Sequence, residues 1–108
     1  MLLHDVIQQL DGLPEEATVF AGRLGGHFTP ASEAVCLELT EEESSTPIDE
    51  VAARRAPGKQ YFLEVFVARE ALEGWMSMRG VKALAPEEAT EVIIHYAEHD
   101  AWPELEAG

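Results

Sequence analysis

Leu3, Val6, Ile7 and Leu10 stand at i, i+3, i+4 and i+7, the spacing of one helix face. They predict a short amphipathic helix over residues 3–11, with Asp5 in the first turn where the helix dipole favours a negative charge. Gly12-Leu13-Pro14 then reads as a left-handed C′ glycine, an apolar C″ residue and a proline stop. Thr18-Val19-Phe20-Ala21 is a short β-prone run. Residues 22–31 hold three glycines and a proline and predict a loop. Over residues 34–40 the pattern alternates, with Val35, Leu37 and Leu39 on one face and Cys36, Glu38 and Thr40 on the other. That period predicts a half-buried strand, paired with the first as a long-looped hairpin.

Glu41 to Ser45 reads as a polar acidic loop. Thr46-Pro47-Ile48-Asp49-Glu50 offers an N-cap, a proline at N1 and acids in the first turn, so a short helix follows and ends before Pro57-Gly58. Residues 61–68, Tyr-Phe-Leu-Glu-Val-Phe-Val-Ala, are nearly continuous apolar. This predicts a strand covered on both faces, in the middle of the sheet. A helix over 69–79 follows, with Leu72, Trp75 and Met76 inward and Gly80 as its C′ residue. Pro86-Glu87-Glu88 starts one helical turn. Residues 91–97 then alternate as a last strand, with Val92, Ile94 and Tyr96 opposite Ile93, His95 and Ala97. The expected order is α-β-β-α-β-α-β: one α+β domain over 1–108 around a four-stranded mixed or antiparallel sheet, with 101–108 an irregular tail.

Charge changes the picture most. The 108 residues carry 7 Lys plus Arg against 21 Asp plus Glu, a net charge of −14. That field repels nucleic acid and anionic membrane and speeds encounter with basic surfaces. Hydrophobic residues make up 46%, too many for a disordered acidic tail. No run is long enough to span a bilayer, and the amino end shows no secretory signal. A single cysteine excludes an internal disulfide and fits a reducing, cytoplasmic setting. Five Arg against two Lys, with 15 Ala and no Asn, suggest a GC-rich bacterial source.

Candidate chemistry is sparse. Cys36 lies mid-strand with nothing nearby to lower its pKa, so it reads as a packed hydrophobe. His95 and His99, near Glu98 and Asp100, are the best metal candidates: on a helix an i, i+4 pair would share one ion. On a strand they stand about 13 Å apart, so no metal is expected there. His4 and His27 are isolated, His4 exposed at a helix start, and no triad can be assembled. Gly22-Arg23-Leu24-Gly25-Gly26 lacks the Gly-Lys-Ser/Thr ending of a phosphate loop and reads as turns. No catalytic residue and no cofactor are expected. Trp102 either caps the core or projects as an anchor. If the last strand extends, Tyr96, Glu98, Asp100 and Trp102 share one parity and display acids around aromatics, a surface suited to a basic protein.

The closing segment, Glu91-Val92-Ile93-Ile94-His95-Tyr96-Ala97-Glu98-His99-Asp100-Ala101, resembles that of a family of small acidic bacterial domains of unknown function. Leu13-Pro14 after the first helix, the 61–68 run and the helix with Trp75 resemble the same family, so the likeness spans nearly the whole chain. His99 departs from it, standing where a polar amide would be expected. The resemblance implies no activity and no catalytic residue. By size and charge alone the chain also has the character of immunity proteins, which neutralise a cognate, often basic, toxin. The expected function is therefore non-enzymatic binding of a basic protein partner, a toxin in its most specific form. The alternatives are a structural or regulatory homodimer pairing through Thr18–Ala21 or the last strand, and a small metal-dependent enzyme.

Overall fold

A strand of four buried residues, Thr18–Ala21 (β1), organises the molecule, and a computed structural model describes residues 1–104 around it. β2, Ala34–Leu37, pairs antiparallel on one side of β1, with Thr18 opposite Leu37 and Ala21 opposite Ala34. β3, Gln60–Glu64, pairs antiparallel on the other side, so the order is β2-β1-β3. The long-looped hairpin is as the alternation predicts. The predicted centre of the sheet is not: β1 is central, and the 61–68 run supplies an edge.

On β1, Val19 and Ala21 face one side and Phe20 the other, so each residue type packs into a different core. The register slips between Val19 and Phe20, where Leu63 and Tyr61 are the partners. Phe62 is thus an extra residue on β3, and this bulge turns both Phe62 and Leu63 into the same core.

The larger core is covered by three helices. The first, α1 (Leu3–Gln8), buries Leu3, Val6 and Ile7, and Leu10 joins them from the following 3-10 turn, Leu10–Gly12. Gly12 is not the expected left-handed cap; the chain tightens instead, with the Leu13 N–H donating to the Leu10 carbonyl. Thr40 and Glu43 form a reciprocal capping box, so Glu41–Ser44 is a helical turn (α2) rather than a loop. Helix α3 (Ile48–Arg55) packs Val51 and Ala52 on Phe20 across the opposite face of the sheet. Its N-cap is Pro47, while the Thr46 hydroxyl donates back to the Glu42 carbonyl.

Two sequence expectations fail at helices. The run 61–68 splits at Glu64: its second half opens α4 (Val65–Arg79), where Val65, Ala68, Leu72 and Trp75 follow helical spacing. Gly80 closes α4 as expected, at φ 67°, with the Val81 N–H reaching the Met76 carbonyl. The turn at Pro86 does not stop. It continues as one helix, α5 (Pro86–His99), so the predicted last strand is absent. Ala89, Val92, Ile93, Tyr96 and Ala97 stand at i, i+3, i+4, i+7 and i+8; Val92 is buried, and the other four pack into the larger core. The alternation over 91–97 arises because three apolar residues in succession satisfy both periods at once.

The described residues therefore form an α+β fold with three strands rather than four. Neither segment expected to pair between two copies is an available edge, since β1 is central and the other is helical. Residues 101–104 form no regular element, and 105–108 lie outside the described residues. Among the described residues, no helix is long and apolar enough to cross a membrane.

Candidate functional site

The four residues expected to share one face do not. On a helix, positions two apart lie about 200° round the axis, so Tyr96 and Glu98 diverge. Tyr96 and Trp102 do meet, with ring centroids 5.4 Å apart. Trp102 folds back on α4, donating from Nε1 to the Ala71 carbonyl at 2.8 Å. Its ring lies over Gly74, where a Cβ would come within 2.7 Å of it. The indole therefore caps α4 with one face to solvent. Asp100 ends α5 in the left-handed region at φ 56°.

Glu98 points away from these rings into the loop after β1. Its carboxylate accepts the Phe28 N–H at 2.8 Å and lies 3.8 Å from Arg23 Nη1 and 3.7 Å from His27 Nδ1. Arg23 in turn stacks over the Phe28 ring. Gly25 and Gly26, both at positive φ, make the tight turn that brings Leu24 and His27 together, in keeping with turn chemistry rather than a phosphate site. Glu98 is thus a structural clamp. Glu98→Ala leaves the buried Phe28 N–H without its acceptor, and should cost about 1–3 kcal/mol in urea unfolding and speed exchange of that amide.

The histidines are not all idle. His4 is half-buried rather than exposed, 3.1 Å from the Thr90 hydroxyl. Thr90 gives its own proton to the Pro86 carbonyl, so His4 Nδ1 is the donor in that pair. Gln8 donates to the same hydroxyl, and the three residues tie α1 to α5. His95 and His99, separated in a strand reading, face each other on α5 with ring centroids 4.4 Å apart. Among the described residues no three His, Cys, Asp or Glu side chains converge as metal ligands would. Cys36 packs half-buried against the larger core, and burial, then the Glu38 charge, raise its thiol pKa, which disfavours the reactive thiolate.

The most distinctive surface is one that sequence reading missed. Phe66, Arg69, Glu70 and Glu73 stand at i, i+3, i+4 and i+7 on α4 and, with Glu15 and Glu16, line a groove of about 380 Å³. Phe66 is 46% exposed at its wall. The turn at 14–17 is fixed against α4 by Val65 and Phe66 N–H groups donating to the Ala17 and Glu15 carbonyls. Arg69 does not neutralise the groove freely. Its guanidinium donates to the Leu10 carbonyl at 2.8 and 2.6 Å, to the Leu13 carbonyl at 2.5 Å, and to Glu15 at 3.3 Å. Four carboxylate residues thus share this groove with an exposed phenyl ring and one committed cation. Helical spacing through 66, 69, 70 and 73 is the signal in the sequence, hidden because Phe66 reads as part of a strand.

The acids elsewhere differ. Glu88 is held below the usual carboxylate range by the Arg79 guanidinium and then by the Trp75 indole N–H, and so serves to anchor α4 against α5. Compared with family models, curated proteins and solved structures, the chain matches none, and its groove is read from its own residues alone.

Proposed function

We propose that this protein is a non-catalytic binding module for a basic protein partner, and that the groove beside α4 receives it. The observation that carries this reading is Phe66, exposed in a groove that Glu15, Glu16, Glu70 and Glu73 also line. A phenyl face attracts an Arg or Lys head group by about 0.5–1 kcal/mol at an exposed site, and the carboxylates add charge-assisted hydrogen bonds. Arg69 is held by two backbone carbonyls and pairs only with Glu15 among the groove's acids, so Glu16, Glu70 and Glu73 stay open to a partner. The net charge of −14 would steer such a partner from a distance.

Neutralisation of a basic toxin in the bacterial cytoplasm is the most specific form of this proposal. It is supported by size and charge. The test is capture from a lysate of the source cells by the tagged protein, with washes at ~50 and ~500 mM salt, the latter reducing the screening length to roughly 4 Å. The expected result is one basic protein, retained in stoichiometric amount through both washes. Retention of nothing specific at the higher salt would defeat the proposal.

A further inference from the structure

A second surface, on the far half of α5, carries chemistry of a different kind. His95 and His99 occupy one helix face, and their rings lie 4.4 Å apart, tilted by 43°. They line a shallow groove of about 310 Å³ with Phe28, Pro30, Ile94 and Glu91. His95 Nδ1 is 3.0 Å from the Ala101 carbonyl. A carbonyl only accepts, so Nδ1 carries the hydrogen and Nε2 of the neutral ring presents its lone pair. A backbone carbonyl that fixes the tautomer and orients the ring is the usual support behind a metal-bound imidazole.

We propose that His95 and His99 form a two-imidazole site for a divalent transition-metal ion of tetragonal preference, Cu²⁺ or Ni²⁺. The i, i+4 spacing lets two imidazoles share one ion, and the imidazole donors select the class. With metal–nitrogen bonds of about 2.0 Å, each ring centroid lies about 3.2 Å from the ion. Two rings bound cis at right angles then have centroids about 4.5 Å apart, against about 5.2 Å for a tetrahedral pair. The observed 4.4 Å is short enough for both rings to reach one ion. Glu98 also lines the groove but is engaged with the Phe28 N–H, and among the described residues no third ligating side chain converges with the pair, so it stands as two protein ligands with solvent completing the sphere. Imidazole nitrogen prefers these ions over Mg²⁺ or Ca²⁺, which take oxygen ligands.

The test is titration of the full chain with Cu²⁺ alone, read by calorimetry and by electron paramagnetic resonance. The expected result is one ion per chain with two nitrogen ligands. His95→Ala and His99→Ala should each weaken binding by at least about tenfold, and the double variant should abolish it, since each single variant still keeps one imidazole ligand. Excess Mg²⁺ should not compete. His99 is exposed and His95 half-buried, so unfolding midpoints measured for each variant show that it still folds. Binding that survives both substitutions would place copper elsewhere, at the amino end or on carboxylates, and overturn the proposal. So would displacement by Mg²⁺, or a spectrum with one nitrogen or none.

Discussion

Replacing Phe20 by alanine is expected to destabilise the fold by about 3–5 kcal/mol, the range for deleting a buried aromatic ring. Phe20 has no exposed surface and is the largest fully buried side chain. It sits on the central strand, paired with Val35 and Tyr61, and faces Val51, Ala52 and Ala56. Two of those cover residues are alanines, and the strand is held on both edges, so the walls cannot close over the cavity. Urea unfolding measures the effect. A loss below about 1 kcal/mol would mean that the smaller core repacks and that α3 is not seated on this ring. Phe66→Ala is the internal comparison: that ring is already 46% exposed, and its removal should leave the midpoint nearly unchanged.

Arg69→Met is expected to cost about 2–4 kcal/mol although it preserves most of the side-chain stem. The guanidinium satisfies the Leu10 and Leu13 carbonyls at the end of the first helical segment, and hydrogen bonds from a charged donor contribute about 1.5–3 kcal/mol each. Its side chain is 20% exposed, so water can replace part of the lost bonding. The Leu10 carbonyl also accepts the Leu13 N–H, so the guanidinium adds to that bond and supplies the donor to the Leu13 carbonyl. Arg69→Lys should recover less than half of the loss, since one ammonium cannot reproduce the planar fork that spans two carbonyls. Full recovery by lysine in urea unfolding would show that charge, rather than the fork, holds the segment.

These two residues also mark where the sequence is readable and where it is not. Amphipathic spacing finds α1, the alternation finds β2, and the Gly80 cap marks the end of α4, because each rests on a local period or a local turn. The failures come where two periods coincide. Val92-Ile93-Ile94 satisfies a strand and a helix equally, and only the larger core, which takes Ala89, Ile93 and Tyr96 together, decides between them. Similarly, β-branched Val65 and Val67 favour a strand locally, yet the β-bulge at Phe62 and packing of Val65 and Ala68 on the core start a helix at Glu64. Both misreadings touch the candidate sites. Reading 61–68 as a strand hides the groove at Phe66. Reading 91–97 as a strand separates His95 from His99 and groups Glu98 with Trp102, although the helix directs them to different neighbours. Arg69 as a clasp across 59 positions is beyond any local pattern.

The central claim is that the groove beside α4, rather than net charge in general, receives a basic partner. It is tested most directly by comparing two variants of equal charge in the capture assay. One carries Glu16→Gln, Glu70→Gln and Glu73→Gln at the groove; the other carries Glu41→Gln, Glu42→Gln and Glu50→Gln on α2 and α3, away from it. All six side chains are exposed, so neither set should unfold the chain. If the groove is the site, the first variant loses the partner at ~500 mM salt and the second retains it, because long-range attraction is screened there and only contact remains. Equal retention by both, or equal loss, would contradict the account.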